Sequence, residues 1–479
     1  MENDELKKAR ARMVLEAAHE AWTRLAGVRA RRRRYARFTY GDQWSDPVMR
    51  RNGTVTTERQ KAVEDGRTPL TNNLIRRMVK GVIGRYRMNA EEAQRNAGAD
   101  TDPEVKRWRE FNGLDETDAR TLEEFLISGM AVHCVAREWR TGGEGVWVDS
   151  VSPEMFFVSE VSESSCRDME LVGRLREMSM GEVLMRFGRG EPVRIERLRR
   201  LYEAADAASG RMTGLTGAGE VSFFRARKGR CRVIEVWTLE CRESLRCHDP
   251  LTATLTLRDV GAAGETDAEN RRRRREGLSE IAVRREMHTV WRCRMLAPDA
   301  TVLDEFDSPL RGGAVPFAVK LYPMVDGDVH SLVEDVIDQQ KHVNRLISLM
   351  DCMMGTAAKG VLLYPVDCKP EGQKWEDICR KWSDPGGVIP YMAYQGHEPH
   401  QVVTPVADVG ASAMLKTQRE MFEDVSGVTD AMMGKAGQGV IGVERYESQV
   451  RNGGIAVSDL LKTFEDFVRR RDALIGKCL

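Results

Sequence analysis

Two groups of residues in this chain have types and spacings that could support chemistry. The first is the glycine-rich segment MMGKAGQGVIG at 432–442, which looks like a phosphate-binding loop. A Walker loop has the pattern G-x-x-x-x-G-K-[ST] between a strand and a helix, so that backbone N–H groups surround the phosphates. Here Lys435 directly follows the first glycine, and no predicted strand precedes the segment. We therefore predict a loop between two helices rather than a nucleotide site.

The second group is a pair of carboxylates, Asp335 and Asp338, at i and i+3 of a predicted helix. Two acids on one helical face could bind a divalent cation. A two-metal nuclease would need a second acidic set with a nearby His or Lys, and the sequence has no obvious one. It also has no G-x-S-x-G motif and no Cys/His pair in a recognisable context. We predict that the protein is not an enzyme.

The ten cysteines and eight histidines point away from a metal centre or a disulfide framework. No C-x-x-C pattern occurs, and the histidines do not lie at zinc-ligand spacing from the cysteines. Scattered cysteines in a chain of this length are typical of small buried side chains in a reducing compartment. The sequence predicts no cofactor and no metal.

Charge and hydropathy exclude further classes of protein. Lys and Arg total 74 and Asp and Glu total 74, so the net charge is zero, whereas a free-standing nucleic-acid binder usually has a basic excess. No run of 18 apolar residues predicts a membrane span, and the charged segment MENDELKKARARM does not resemble a secretory signal. The length of 479 residues predicts two to four domains.

Two arginine runs, Arg31–Arg34 and Arg271–Arg275, could bind phosphate. The first continues a predicted helix, so a contact with another subunit explains it equally well. The second ends the segment 261–275, which we predict to be an exposed, solvated loop. The sequence leaves open whether either run contacts DNA or protein.

Hydrophobic periodicity predicts an α+β fold that is mainly helical. The predicted helices are 4–37, 70–94, 102–111, 115–133, 180–206, 331–354, 375–382, 408–425 and 443–475. The predicted strands are 131–139, 146–151, 156–158, 231–241, 251–258, 286–297, 317–322, 361–364, 388–391 and 401–403.

The helix at 331–354 is the most informative element. One face is apolar, and the rest of its surface is crowded with amides and charges. We predict that this second face contacts another subunit, through Asp335, Asp338, Gln339, Asn344 and Arg345.

Four motifs occur in the order and spacing of one known family. They are YGDQW at 40–44 with RTPLTNNLI at 67–75, SPEMFFV at 152–158, VEDVIDQQKHVN at 333–344, and FEDVSGV at 422–428 with Met433-Gly434. They resemble the Y-x-G-x-Q-W, V-x-P-x-x-F-x-x-D, D-x-x-D-x-Q-x-x-x-N and I-x-x-x-S-G-V motifs of tailed-bacteriophage portal proteins, the head-to-tail connectors. The resemblance covers most of the chain, from 40 to 475.

The resemblance implies a portal-like architecture of wing, stem, clip and crown, in a ring that is usually dodecameric. The implied segments are a wing at 1–315, a strand and first stem helix at 316–354, a clip at 355–405, a second stem helix at 406–425, a tunnel loop at 426–442 and a short crown at 443–479. The clip would pair between neighbouring subunits and contains Trp375 and Trp382. The tunnel loop would face DNA through Lys435, Gln438, Gly434, Gly437 and Gly439.

The implied function is a DNA channel at one capsid vertex, used for packaging and ejection. The implied partners are other copies of the chain, double-stranded DNA, the terminase large subunit, the capsid or scaffold protein and a tail adaptor, with no membrane. The implied location is the virion, with assembly in the host cytoplasm. The alternatives are a DNA-processing enzyme such as a terminase-like nuclease, and another ring or adaptor protein of the virion.

Overall fold

The computed structural model describes residues 2–96, 102–140, 143–209, 221–359, 361–383, 388–402, 410–428 and 455–479. It is 49% helical and 24% strand, which confirms the predicted α+β fold with mainly helical content. The helices of these residues are α1 (Glu2–Arg24), α2 (Ala26–Thr39), α3 (Glu58–Glu64), α4 (Leu74–Asn96), α5 (Pro103–Phe111), α6 (Leu114–Ser128), α7 (Met180–Phe187), α8 (Pro192–Ser209), α9 (Ala263–Arg275), α10 (Leu332–Lys359), α11 (Trp375–Ser383), α12 (Ala411–Ser426) and α13 (Ile455–Cys478).

The strands in the described part of the chain form five separate sheets. They are β1 (Pro47–Met49), β2 (Val55–Thr57), β3 (Met130–Arg140), β4 (Gly143–Ser150), β5 (Phe156–Val158), β6 (Leu171–Met178), β7 (Cys231–Asp249), β8 (Thr254–Asp259), β9 (Ala282–Leu296), β10 (Val302–Asp307), β11 (Phe317–Leu321), β12 (Met324–Val325), β13 (Asp328–Val329), β14 (Val361–Leu363) and β15 (His400–Val402). The largest sheet has the order β10-β9-β7-β6-β5, with β8 also pairing with β7, and a second sheet has the order β11-β3-β4.

The chain packs as two units. The large unit contains the described residues of 1–36, 79–334 and 442–479, and the small unit contains those of 37–78 and 335–441. This grouping separates 37–78 from the rest of the segment that resembles a wing, and it places α13 in the large unit. The assignment of wing, stem, clip and crown to consecutive segments stays a prediction.

The core of the large unit lies on both faces of the six-stranded sheet. Side chains alternate along β7, so Val233 and Trp237 face one cluster while Ile234 and Val236 face the other. The second cluster is closed by the small, buried residues of α1, of which Ala18 is one. The alternation that predicts a strand at 231–241 therefore belongs to a strand buried on both faces.

Ion pairs of the large unit hold its β-layer together. Arg174 on β6 donates to Glu235 on β7 at 2.8 Å, and both side chains are buried. Arg186 donates to both carboxylate oxygens of Glu138 at 3.0 and 3.1 Å. Burial opposes ionisation of Glu138, but Arg186 and two further guanidinium groups outweigh it and lower the pKa of this carboxyl to about 2. Balanced charge in this chain is thus partly an internal, structural feature.

The arginine runs contact carboxylates of their own chain. Arg32 donates twice to Glu124, at 2.8 and 2.7 Å. Arg273 donates twice to Asp249, at 2.8 and 2.7 Å. Residues 263–275 form helix α9, so the predicted loop is wrong, whereas the predicted exposure is confirmed for four of its five arginines. The helical spacing lets Arg273 also pair with Glu269 one turn earlier, which supports the helix.

Helix α13 packs against β3, β11 and α5 of the large unit. It confirms the predicted last helix over 455–475, and residues 443–454 lie outside the described residues. Phe464 and Phe467 are fully buried, and so is Arg471. Arg471 donates to the two oxygens of the buried Asp118 at 2.6 and 3.1 Å. One strong bidentate pair therefore attaches the helix to α6.

We expect Arg471→Leu to lower the free energy of unfolding by about 3–5 kcal/mol, because it leaves Asp118 buried without its counter-ion. Urea unfolding of the full chain, followed by circular dichroism, measures this change. The matched control is Arg469→Leu, because Arg469 pairs with Asp466 on the exposed side of the same helix. That variant should change the free energy of unfolding by about 0–1 kcal/mol. Equal effects of the two variants would contradict the structural role of Arg471.

Candidate functional site on the long helix

A polar stripe runs along α10 inside the small unit. Gln340, Asn344 and Ser348 are spaced by four residues, so their side chains lie on one face of the helix. All three are almost completely buried. Buried amides and hydroxyls are retained in a core only where their hydrogen bonds are satisfied, so this face must have a polar partner.

The partner is the segment just before α4. The backbone N–H groups of Leu70, Asn72 and Leu74 donate to the side-chain oxygens of Ser348, Asn344 and Gln340, at 2.9, 3.0 and 2.8 Å respectively. The backbone N–H groups of alternate residues thus point at the same face of α10, which is the pattern of an extended chain.

The spacing of the N–H donors along the extended segment matches the spacing of their acceptors along α10. Two extended residues rise about 6.6 Å, and four helical residues rise about 6 Å. The predicted helix at 70–94 is wrong for 70–73: α4 begins at Leu74, because the N–H groups of Leu74 and Ile75 donate to Gln340 and not to carbonyls one turn earlier.

The side-chain amides of Gln340 and Asn344 each use both the donor and the acceptor group. Gln340 Oε1 accepts from Leu74 N and from Ile75 N, the second at 3.2 Å, and its Nε2 donates to Asn72 O at 2.7 Å. It therefore caps the first N–H groups of α4, which have no partner inside the helix. A carboxylate accepts but does not donate, so Glu at this position would lose the bond to the carbonyl of Asn72.

The motif at 40–44 completes this network. Asn344 Nδ2 donates to Gln43 Oε1 at 2.6 Å, and Gln43 Nε2 donates to Phe38 O at 2.7 Å. Trp44 Nε1 donates to Leu70 O at 3.2 Å, beside the Leu70 N–H that binds α10. We call Gln43, Gln340, Asn344, Ser348 and the backbone of residues 70–75 the polar clasp.

Charged residues of α10 flank the polar clasp. Lys341 Nζ lies 2.7 Å from Asp46 and 2.9 Å from Glu58, and Arg345 lies 3.3 Å from Glu58. Both carboxylates are nearly buried, so water and salt weaken these ion pairs less than they weaken ordinary surface ion pairs. Lys341 and Arg345 therefore neutralise Asp46 and Glu58 of the segment 37–78.

The structure separates the five residues predicted at a subunit interface. Asn344 is buried by its own chain, and Arg345 is exposed beside Glu58. Asp335 and Asp338 are exposed, and Gln339 is half-buried with a buried carbonyl oxygen that has no hydrogen-bond partner among the described residues. Within those residues, no group of three or more His, Cys, Asp or Glu side chains is arranged to hold a metal ion.

The motif at 422–428 also lies in the small unit. Helix α12 ends at Ser426 and is followed by Gly427, whose φ of 65° is a left-handed conformation that glycine adopts without strain. Ser426 Oγ accepts from Val428 N at 3.2 Å, which fixes the direction of the following chain. Phe422 and Val428 then line a small pocket with Leu74 at the start of α4.

Three of the four motifs thus converge in the small unit, although the sequence analysis did not predict Gln43, Gln340 or Ser348 as site residues. For the two helix residues, the available signal was the spacing of four that joins Gln340, Asn344 and Ser348.

The remaining motif, at 152–158, lies in the large unit. Phe156 and Phe157 are fully buried on opposite faces of the short strand β5. This motif therefore has a packing role in the described residues. The predicted tunnel-loop residues Lys435, Gln438 and the three glycines at 434, 437 and 439 lie outside the described residues.

The segment that resembles a clip has little core of its own. Strands β14 and β15 pair antiparallel, and helix α11 confirms the predicted helix near 375–382. The predicted strand at 388–391 is absent from these described residues, and Pro390 has no N–H for a ladder. Trp375 packs edge-on against Tyr364 with ring centroids 5.9 Å apart, yet its side chain is exposed, and Trp382 is half-buried.

We expect Asn344→Leu to destabilise the small unit by about 2–4 kcal/mol, because it leaves the Asn72 N–H and the Gln43 carbonyl without partners. Hydrogen exchange of the peptide at 67–78, read by mass spectrometry, should speed up with it. The control is His342→Ala, which changes an exposed residue of the same helix and should cost less than about 0.5 kcal/mol. Unchanged exchange at 67–78 in the Asn344 variant would refute the polar clasp.

Comparisons with known proteins agree with the convergence of these motifs. No helix of the described residues is long and apolar enough to cross a membrane. No curated protein matches the chain. A model of the phage P22-like portal protein family matches residues 15–472, which is nearly the whole chain. The chain therefore belongs to the phage P22-like portal protein family.

Proposed function

We propose that this portal protein works as a closed ring, of about twelve copies, around a channel for double-stranded DNA. Family membership makes it a phage portal protein, the head–tail connector at a capsid vertex that serves genome packaging. The family is structural and is not known for an enzyme activity. The copy number and the DNA contacts are the parts that we propose.

The observation that carries the ring is the exposed apolar surface of 361–402. Among the described residues of this segment, Cys368 and Ile378 are buried, whereas eight large apolar side chains are exposed. The exposed residues are Leu363, Val366, Trp375, Val388, Tyr391, Met392, Tyr394 and Val402. A large contiguous apolar surface is rare on a monomeric protein and marks a contact with another molecule. Neighbouring copies that cover this segment would remove it from water, and Trp375 and Trp382 belong to the same contact.

The charges suit a channel through which DNA moves. Rotational symmetry repeats every channel residue once per copy, so even one cation per copy gives many phosphate contacts. A net charge of zero limits the overall attraction for DNA. We propose that the loop containing Lys435, Gln438 and the glycines at 434, 437 and 439 makes weak, repeated contacts with the phosphates.

The exposed face of α10 supports a contact between copies. Asp338, Arg345 and the half-buried Gln339 follow one another along it, and Asp335 lies one turn earlier. A ring needs two different, complementary surfaces on every copy, and a face that presents acids, an amide and a cation can be one of them. The assembled ring would dock the terminase large subunit, the capsid or scaffold protein and a tail adaptor. Assembly would take place in the host cytoplasm.

We expect the double variant Val388→Asp, Tyr391→Asp to reduce ring formation at least about tenfold, because it places charges in an apolar contact. Light scattering and negative-stain imaging of the purified protein measure the mass and the central hole. The control is Val193→Asp, since Val193 is equally exposed but lies on α8 of the large unit. If the unmodified protein stays monomeric even with its capsid and scaffold proteins, and instead cuts DNA or hydrolyses ATP, the enzyme alternative replaces the ring.

We expect Lys435→Ala to weaken DNA retention in filled particles, because one phosphate contact per copy is lost around the whole ring. Packaged DNA per particle, and its release as salt is raised, are the measurements. The control is Lys416→Ala, which removes an exposed cation from α12. Equal packaging and retention of DNA in both variants would contradict a contact between Lys435 and the DNA phosphates.

A further inference from the structure

The largest sheet extends beyond its packed region as a three-stranded flap. Strand β7 continues to Asp249, pairing with β8 over Ser244–Asp249 on one side and with β9 from Ala282 onward on the other. Strand β6 stops opposite Thr238, and β10 stops opposite Arg292. We call the strand residues 240–249, 254–259 and 282–291 the flap. Its two outer strands, β8 and β9, therefore have outer edges that neither β6 nor β10 covers.

Hydrogen-bond alternation shows which backbone groups lie on these edges. Leu239 N donates to Glu170 O at 2.8 Å, so odd-numbered residues of β7 face the side of β6 and β8. The N–H and C=O of Leu245 and Cys247 are therefore directed at Arg258 and Thr256 of β8. The backbone groups of Leu255 and Leu257, which alternate with these, point outward.

The same reasoning applies to β9. Trp291 O accepts from Ser308 N at 2.8 Å, on the side away from β7, so odd-numbered residues of β9 face outward. These residues are Val283, Arg285, Met287 and Thr289. Among the described residues, no hydrogen bond reaches the outward backbone groups of β8 at 255 and 257 or of β9 from 283 to 289.

Helix α9 covers one face of the flap and leaves both edges open. It packs near Leu245, Cys247 and Ile281 through Ala263. The side chain of Asn270 binds both backbone groups of Ile281, at 2.7 and 2.9 Å, and so occupies the edge of β9 just before Val283.

The outer edge of β8 has exposed apolar side chains and little protection, whereas β9 carries Val283 and Met287 beside the charged residues 284–286. Residues 254–257 of β8 are Thr-Leu-Thr-Leu, without a charge or a proline, and Leu255 and Leu257 are 57% and 58% exposed. On β9, Met287 is 63% exposed. Proteins usually protect an edge strand with lysine, proline or a bulge, because an open apolar edge pairs with other chains. An edge as open as β8 is expected to be paired in the working assembly.

We propose that β8 of one copy pairs with β9 of the next copy, so that the flaps join into a continuous sheet around the ring. This proposal rests on the ring proposed above. A second copy is the occupant because a ring contact joins two different surfaces of the same chain, and the flap carries two different open edges. Both strands run antiparallel to β7, hence parallel to each other. Rotation about a ring axis keeps that direction, so the new pair is parallel.

The size of the contact limits where it forms. An edge of six residues buries much less than the about 1,000 Å² that a stable interface needs. The edge pair therefore forms inside the ring, where other surfaces already hold the copies together, and it does not form between free monomers.

Cysteine cross-linking tests the pair directly. Thr256 lies opposite Cys247, which lies opposite Val283, so the side chains of Thr256, Val283, Arg285 and Met287 share one face of the sheet. Thr256→Cys is combined in turn with Val283→Cys, Arg285→Cys and Met287→Cys, which covers three registers. Mild oxidation of assembled rings should give a ladder of linked subunits for at least one pair. Each single variant is the control for the native cysteines, and oxidised monomers should give no ladder.

A proline variant tests the backbone bonds. Leu257→Pro removes an outward N–H and keeps the bonds to β7, because proline is tolerated on the open side of an edge strand. Leu257→Thr keeps the N–H and is the matched control. In the ring, hydrogen exchange at 283–289 should be at least about tenfold slower than in the monomer. Leu257→Pro should abolish this protection, while Leu257→Thr keeps it.

Two negative results are distinguishable. Intact rings without any ladder, and with equal exchange at 283–289 in ring and monomer, overturn the edge pairing and leave the ring. A protein that forms no ring under any assembly condition overturns both proposals.

Discussion

The small unit depends on one match of lengths between an extended chain and a helix. The backbone N–H groups of residues 70, 72 and 74 donate to the side-chain oxygens of residues 348, 344 and 340, in that order. All three side chains are buried. Because the two rises differ by only a fraction of an ångström per step, three successive bonds form without distortion. The start of α4, the position of Trp44 and the burial of Gln43 all follow from this alignment.

Amide side chains suit this position because each one satisfies donors and acceptors together. Apolar residues at 340 and 344 would leave backbone groups of residues 72–75 buried without partners, and carboxylates would replace donors by acceptors. The charged pairs of Lys341 and Arg345 lie outside this amide stripe, where each cation lies within 3.3 Å of a nearly buried carboxylate. Helix α10 therefore has three chemically different faces, which are apolar, amide and ionic.

A portal protein has to combine a rigid subunit with surfaces that are complete only in the ring. The large unit meets the first need with buried pairs such as Arg471–Asp118 and Arg174–Glu235, which also neutralise many of its arginines. Arginines that bind their own chain are less available to hold DNA phosphates, which agrees with a channel that lets DNA slide. We propose that the exposed apolar side chains of 361–402 and the open edges of the flap meet the second need, because neighbouring copies would cover both.

The sequence by itself determined the family, through four motifs in order, and most helices, through hydrophobic periodicity. It did not predict β6 or β10. In β6 the buried Arg174 interrupts the apolar pattern, and the charge is tolerated only because Glu235 lies beside it. Tertiary structure also decided that Asn344 binds its own chain and that the arginine runs contact carboxylates of the same chain. The physical reason is distance along the chain: Asn72 and Asn344 are 272 residues apart, and no local pattern records which donor a buried acceptor will meet.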